Sequence, residues 1–361
     1  MRQMLRRLVS ATGSALAVTI AAACATDVPT AAPPTDPVLA RAAAYTSIDI
    51  GALLGNYSSQ AKGVNDAGDV AGYSCCGAGS GAFARVAGTV ISLAGEGSAA
   101  LAISYGSPLY VAGYTGSPSQ PVRWSIGAST ETTFLPLLPD ETFGAARGIN
   151  DLGDAVGNAG NQAAIWSGAG VRTTVPTPVG FVRGEGRGIN NAGHAVVVFF
   201  AAGSSWSGVR GYLRLASGEL IEMPPLSGDV TTYANDLSEV TDGSVHVAGT
   251  SRTSPYVFRS VRWKVDVTTG QILTTTVRDE MSHGLAVSNA GGVAGFLETN
   301  AERTPRFNAY LWRGTGLLKL NPPGSGKDGR AWAISQSGHL VAGEAMFGVS
   351  RHAVLWTILS P

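Results

Sequence analysis

The sequence predicts an all-β fold, a seven-bladed β-propeller with four-stranded antiparallel blades. The main observation is a five-residue phrase, small–any–small–aliphatic–Asn/Ser, that recurs seven times at spacings of 39 to 50 residues, the period of four-stranded repeat units. Glycine is abundant, at 48 of 361 residues, and only 14% of the residues are charged, which favours tight turns over long helices. The copies of the phrase occupy residues 61–65, 100–104, 146–150, 186–190, 234–238, 284–288 and 331–335.

Each copy predicts the four strands of one blade. The phrase is the innermost strand, and it leads into a turn such as the Asn-Asp-Leu-Gly at 150–153, because Asn and Asp bond their own backbone and Gly accepts a positive φ. The second strand carries Val-Ala-Gly, as at 70–72, and we expect these small residues to let neighbouring blades pack closely. The third strand ends in an aromatic residue that we expect to anchor the core: Phe83, Trp124, Trp166, Tyr212, Trp263, Trp312 and Trp356.

The seventh copy is incomplete, because only five residues follow Trp356. A strand-like segment precedes the first copy at 45–51, where Thr46, Ile48 and Ile50 alternate with Ser47 and Asp49. A fourth strand supplied from the N-terminal side would leave no large sheet edge unpaired. We therefore expect residues 45–51 to close the last blade.

The first 44 residues predict export. Three arginines precede an uncharged, Ala-rich stretch at 8–23 that is short for a membrane span, so residues 1–23 are interpreted as a signal peptide. Cys24 follows three alanines, as in a lipoprotein, and is the candidate lipidation site; the alternative is ordinary cleavage at 23–25 and soluble secretion into the periplasm or medium. Residues 24–44 form an Ala/Pro-rich tether, and residues 45–361 form the propeller domain. The expected location is the outer membrane or cell surface.

The repeats resemble a known family. The run Gly148-Ile149-Asn150-Asp151-x-Gly153-x-x-Val156-Gly157, followed by Ala-Ile-Trp-Ser-Gly at 164–168, is similar to the bacterial HAF-type extracellular repeat. The resemblance spans about residues 45–356 and implies an exported, propeller-like protein, but the family brings no established reaction. The His-Ala-Phe triplet that names it is altered here, to Gly-Ala-Phe at 81–83 and His-Ala-Val at 352–354.

Composition and motifs argue against several classes of function. The formal net charge is zero, so we expect no nucleic-acid partner, and membrane contact only through an N-terminal lipid. The five histidines are dispersed, which predicts no metal site, and we expect no catalytic residue and no cofactor, because the chain lacks a Gly-x-Ser-x-Gly elbow and a complete phosphate loop. We predict a monomeric, non-enzymatic binding module for a glycan or protein. The alternatives are a propeller enzyme, such as a polysaccharide lyase or glycosidase, and a purely structural envelope protein.

Cys75 and Cys76 are adjacent in a chain that we expect to be exported. Such a pair can form a vicinal disulfide, stay free, or bind a metal weakly. Because neighbouring Cα atoms lie about 3.8 Å apart, below the usual disulfide range, a bridge would distort the peptide. We predict a possible vicinal disulfide.

A propeller built on this phrase has two different faces. The short, uniform turns that follow each phrase share one face, the turn face. The loops between blades and those between second and third strands share the other, the loop face, and these loops are long and varied, as functional loops commonly are. We predict a ligand site near the loop-face mouth of the central channel, carried by Arg147, Arg187, Tyr233 and Trp332. The alternative is ordinary solvated loops with aromatic packing.

Overall fold

The computed structural model describes residues 45–51, 56–77, 79–203, 207–278, 281–299 and 306–359. These residues form seven four-stranded antiparallel sheets, and successive sheets pack against each other in a ring. The prediction of a seven-bladed β-propeller is confirmed. Within the described ranges no helix is long and apolar enough to cross a membrane. The predicted signal peptide, Cys24 and the tether lie outside the described residues.

The strands follow one another in chain order, four to a blade. The first three blades are β2 Ser58–Val64, β3 Val70–Cys75, β4 Gly81–Val86, β5 Thr89–Ser92; β6 Ala99–Ile103, β7 Leu109–Thr115, β8 Gln120–Ile126, β9 Thr130–Phe134; and β10 Gly144–Ile149, β11 Ala155–Ala159, β12 Gln162–Trp166, β13 Arg172–Thr174. The next three are β14 Phe181–Ile189, β15 Ala195–Ala201, β16 Val209–Arg214, β17 Leu220–Met223; β18 Thr231–Leu237, β19 Ser244–Ser254, β20 Val257–Asp266, β21 Ile272–Val277; and β22 Ser282–Val287, β23 Val293–Thr299, β24 Arg306–Arg313, β25 Gly316–Leu320. The seventh is β26 Lys327–Ile334, β27 Leu340–Phe347, β28 Ser350–Ile358 and β1 Tyr45–Gly51.

The seventh blade is closed by the N-terminal strand, as predicted. Strand β1 pairs antiparallel with β28, with Tyr45 opposite Ile358 and Asp49 opposite Val354. A side chain also ties β1 to the end of the sixth blade. The Tyr45 hydroxyl accepts a hydrogen bond of 2.8 Å from the backbone N–H of Asn321. Ring closure therefore depends on two segments from opposite ends of the domain.

The aromatic residue of each third strand is buried, as predicted for a core anchor. The five tryptophans at this position are at most 1% exposed. Arg85 and Arg214 occupy it in the first and fourth blades, where the buried rings of Phe83 and Tyr212 lie two residues earlier in the strand. The indole of Trp166 also donates a hydrogen bond of 2.8 Å to the carbonyl of Pro136. Each such ring packs with small side chains of its own and neighbouring blades, which couples adjacent sheets.

The fifth residue of the phrase ties the turn to the next blade. Asn65 accepts the backbone N–H groups of Ala67 and Asp69 at its side-chain oxygen, and its amide donates to the carbonyl of Ser104 in the following blade. Asn150 and Asn190 repeat this arrangement. Where the residue is serine, the hydroxyl accepts an N–H of the following turn or strand, as at Ser288 and Ser335. The choice of Asn or Ser thus preserves the turn, while Asn also bonds between blades.

A β-bulge interrupts every innermost strand at the second residue of the phrase. A bulge leaves one residue unpaired and re-aims its side chain. Opposite the bulge, an added Cβ on Gly72 or Gly295 would overlap a carbonyl oxygen of its own blade. The expectation that the small residues of the second strand pack between blades holds for the alanine, since Ala112 shares a core cluster with Ala146 and Trp166 of the next blade, and was wrong for the glycine. The third phrase residue has that role, since an added Cβ on Gly148 would lie 2.8 Å from the Cα of Gly188 in the next blade.

Deletion of residues 45–51 tests the closure. We expect the melting temperature to fall sharply, because the outer edge of β28 loses its whole partner strand. A chain that lacks only residues 1–44 serves as the control and should melt like the full chain. A second control moves 45–51 behind residue 361, next to its pairing position, and should restore the melting temperature. An unchanged melting temperature after the deletion would show that β1 does not close the ring.

Candidate functional site

A channel of about 320 Å³ runs along the propeller axis. Its walls include the bulged second residue of all seven phrases. The second residue is the one position of the phrase at which any residue type occurs, and it is the one that faces the channel. Toward the turn face, the lining includes the residue that follows the phrase in six of the seven blades. The bulged residues are Lys62, Leu101, Arg147, Arg187, Asn235, Leu285 and Trp332.

Three guanidinium groups surround one carboxylate on the loop-face side of this channel. Glu185 is 8% exposed. Arg147 Nε lies 3.1 Å from its Oε2 atom. The Nη2 atom of Arg187 lies 3.3 Å from Oε1, and that of Arg183 lies 3.4 Å from the same oxygen. The Arg147 contact is an ion pair rather than an aligned hydrogen bond, since its N–H finds no acceptor in line. This basic cluster of residues 147, 183, 185 and 187 has two positive charges in excess.

Strands on the other side of the channel carry a row of stacked rings. His283 lies between Phe258 and Phe296, with ring centroids 4.0 and 4.5 Å away. Burial, followed by the charges of Arg252 and Arg330, lowers the pKa of His283 to about 3, so it is a neutral ring at pH 7. We call the row Tyr233, Phe258, His283, Phe296 and Trp332 the aromatic arc.

Cations lie over both ends of the aromatic arc. The Arg252 guanidinium is 5.2 Å from the ring centre of Tyr233, and the Lys62 ammonium is 3.5 Å from that of Trp332, both within cation–π range. Burial lowers the pKa of Lys62 to about 8, against the opposing effect of Glu344. Lys62 therefore remains largely charged at pH 7 and loses charge at mildly alkaline pH.

The structure separates the four residues predicted from the sequence. Arg147, Arg187 and Trp332 line the channel, and Glu185 brings the two arginines together. Tyr233 precedes its phrase by one residue and lies beneath Arg252, outside the channel lining. The sequence pattern did not identify Lys62 or the central role of Glu185 as part of the site. The signal for Lys62 was present in the unconstrained second position of the phrase.

Cys75 and Cys76 end the second strand of the first blade on the loop face. Both are free thiols with sulfur atoms 2.7 Å apart, and Cys76 has a positive φ of 74°. The contact with Cys76, followed by burial, raises the pKa of the Cys75 thiol to about 11, which disfavours its reactive thiolate form. The vicinal disulfide stays a prediction. Across the described ranges, no group of three or more His, Cys, Asp or Glu residues could hold a metal ion.

The turn-face end of the channel is acidic. Asp151 accepts the backbone N–H groups of Tyr105 and Gly106 at 2.6 and 2.7 Å, and the Glu239 carboxylate accepts the N–H of Asn191 at 3.1 Å. Similar bonds follow around the axis and join neighbouring turns. The channel thus combines basic groups toward the loop face with acceptors at the opposite end.

Asp236 is the one departure from a small third residue in the phrase. Its carboxylate accepts the backbone N–H of Val287 in the next blade at 2.9 Å. Burial raises the pKa of Asp236 to about 7, despite hydrogen bonds that favour the ionised form. A protonated carboxyl here still accepts a hydrogen bond while avoiding a buried negative charge.

Comparisons with known proteins agree on the fold. No protein-family model matches the sequence, and no curated protein matches it. A streptogramin B lyase structure is 10% identical, with a TM-score of 0.50 over 86% of this chain and 97% of that one. Virginiamycin B lyase from Staphylococcus aureus is 11% identical, with a TM-score of 0.50 over 87% and 99% of the two chains. At such low identities the similarity defines a β-propeller and carries no activity across.

Asp236→Asn should change how stability depends on pH. The raised pKa means that the folded state holds a proton between about pH 4 and 7 that the unfolded chain releases, so the wild type loses stability as pH rises through this window, by about 1.4 kcal/mol for each pH unit at most. The variant lacks this titration. Its melting temperature relative to the wild type should therefore be higher at pH 8 than at pH 5. Asp140→Asn, at an exposed carboxylate, is the control, and an equal shift at both pH values would contradict the assignment.

Proposed function

We propose that the protein is an exported, non-enzymatic binding module whose loop-face channel mouth binds an acidic glycan. The observation that carries the proposal is that three cationic side chains and the ring of Trp332 line one channel, with the rest of the aromatic arc packed behind Trp332. Arginines that share a single carboxylate retain donors for a second anion. The rings offer flat, apolar surfaces of the kind that line ligand sites.

The electrostatics favour an anionic ligand group. Arg147, Arg187 and Lys62 line the channel, and Glu185 is the carboxylate that partly neutralises the first two. Charges in a concave, low-dielectric site interact more strongly than on an open surface and raise the local concentration of counter-charged ligands. A carboxylate or sulfate on a sugar would complete the pairing of these guanidinium groups.

The aromatic arc supports a ligand longer than one charged group. It extends from Tyr233 in the fifth blade through Phe296 in the sixth to Trp332 in the seventh. Trp332 lies beside the channel under Lys62. Only Trp332 of the arc lines the channel, and Phe258 and Phe296 are 4% and 8% exposed. A sugar ring would therefore lie at Trp332 while its acidic substituent faces the arginines. This is why a glycan suits the site better than a small free anion.

Export and anchoring belong to the same proposal. The first 23 residues have the charge pattern of a signal peptide, and Cys24 is the candidate for a lipid anchor. The resemblance to HAF-type extracellular repeats supports the same compartment. We propose that residues 24–44 tether the propeller to a cell-envelope membrane, where acidic polysaccharides are accessible.

Arg147→Gln tests the anion site. We expect binding of polygalacturonate oligosaccharides, measured by isothermal titration calorimetry, to weaken about fivefold or more, because a partly desolvated ion pair of about 1 kcal/mol is lost. Lys319→Gln, which removes one charge from the exposed outer strand β25, is the matched control and should bind normally. Equal affinity of the two variants, or equal binding of an uncharged oligosaccharide, would contradict the proposal.

Glu185→Gln should act in the opposite direction. The variant removes the carboxylate that three guanidinium groups share, so the same acidic oligosaccharides should bind more tightly, with affinity falling more steeply as salt is added. Glu222→Gln is the control, since it neutralises a half-exposed carboxylate paired with Arg210 on the outer strands. Unchanged or weaker binding by a variant that keeps its melting temperature would show that the cluster does not bind anions.

A further inference from the structure

A second cavity, of about 210 Å³, lies on the loop face between the sixth and seventh blades. It is bordered by the start of β24, the ends of β26 and β27 that face the loops, and the start of β28. It is separate from the channel lining. We call it the blade-seven pocket, and its lining residues are Phe307, Asp328, Arg330, Glu344, Ala345, Met346 and Arg351.

Glu344 is the central polar group of this pocket. The residue is 2% exposed, and its Oε1 atom accepts a hydrogen bond of 2.9 Å from Arg330 Nη1. Arg351 lies farther away, with Nη1 at 3.7 Å from the same oxygen. The other oxygen, Oε2, has no hydrogen-bond partner among the described residues. A buried carboxylate oxygen without a donor is costly, so this atom favours an incoming donor.

An unused donor accompanies this unused acceptor. The Nε–H of Arg330 also lacks a hydrogen-bond partner within the described part of the chain, while its guanidinium packs 3.7 Å from the ring centre of Phe307. Arg351 is 43% exposed and only loosely paired, so its donors can reorient toward a ligand. The terminal torsion of a Glu side chain is soft, which lets the carboxylate turn toward the cavity.

The mixed charges of the lining favour an uncharged ligand. Asp328 and Glu344 supply two negative charges, and Arg330 and Arg351 supply two positive charges. Just outside the lining, Arg306 pairs with Asp328 at 3.1 Å, and Lys62 carries a charge that Glu344 stabilises. A cation in the pocket would approach both guanidinium groups, and an anion would approach both carboxylates. A hydroxyl group avoids both conflicts, because it donates to a carboxylate oxygen and accepts from a guanidinium at the same time.

The size of the blade-seven pocket and its apolar lining restrict the class of ligand further. The volume is below the range that drug-sized ligands usually occupy, so the pocket suits a single small ring. Ala345, Met346 and Phe307 provide an apolar wall beside the charged groups. A ring with hydroxyl groups at its rim and carbon–hydrogen bonds on its faces matches both kinds of surface.

We propose that the blade-seven pocket binds one uncharged sugar ring through hydroxyl groups shared between Glu344 and the two arginines. The inference goes beyond the acidic-glycan site, because it concerns a different pocket and a ligand of different charge. It stands even if the channel mouth binds nothing.

Ligand-observed saturation-transfer NMR on the full chain tests this site. The probes are the methyl glycosides of glucose, galactose and mannose, with glucuronic acid and glucosamine as charged counterparts. We expect at least one neutral glycoside to bind, and both charged counterparts to bind at least tenfold more weakly to a protein in which Arg147→Gln weakens anion binding at the channel mouth.

Two pocket variants locate the binding. Met346→Phe fills the cavity without altering an ion pair, and Glu344→Gln replaces the carboxylate by a group of the same shape. Each should weaken neutral-sugar binding at least tenfold, whereas Arg147→Gln and Lys319→Gln should leave it unchanged. The melting temperature of each variant shows whether it folds. If Glu344→Gln does not fold, the binding measured with Met346→Phe gives the decisive result.

Three results would overturn the proposal. They are the absence of binding by every neutral glycoside, retention of binding in a folded Met346→Phe variant, and equal binding of charged and neutral sugars. The first would mean that water alone occupies the pocket. The acidic-glycan proposal is tested independently, because it depends on Arg147 and on charged oligosaccharides. One proposal can therefore fail while the other is supported, and the two outcomes can be told apart.

Discussion

The β-bulge in each innermost strand is the constraint on which the other features depend. The bulge places one residue per blade outside the ladder, and in this ring all seven such residues face the axis. It also brings a carbonyl oxygen close to the second strand, so that Gly72 and the glycines at the same position in five other blades leave no space for a side chain; the fourth blade has Val197 there. The recurring phrase and the recurring Val-Ala-Gly are thus two consequences of the same local geometry.

The turns after the bulges hold neighbouring blades together. Asn65, Asn150 and Asn190 each bond the following blade, and the next residues of several turns continue these bonds around the axis. Strands β1 and β28 then close the ring. The turn face is therefore fixed by short-range polar bonds, while the loop face retains the freedom to carry charged clusters, the aromatic arc and the blade-seven pocket.

The fold could be predicted from the sequence because its determinants repeat in register. The sequence pattern predicts both the core anchors, such as Trp166, and the closing strand, through the alternation in 45–51. The site was less accessible, because it depends on contacts between blades. Nothing in the sequence indicates that Arg147 and Arg183 meet at Glu185, or that Lys62 covers Trp332 more than 260 residues away. Tyr233 was placed at the mouth by its loop position alone, and the bulge excludes it from the channel lining.

The bulged residues determine the chemistry of the channel without determining the fold of the blades. Their side chains contribute no ladder pairing, and they already include a lysine, two arginines, two leucines, an asparagine and a tryptophan. Exchanging any one of them alters the chemistry of the channel while the turn and the core anchor of that blade remain as they are. Single substitutions at these seven positions can therefore change which ligand the protein binds, while each variant along the way still folds.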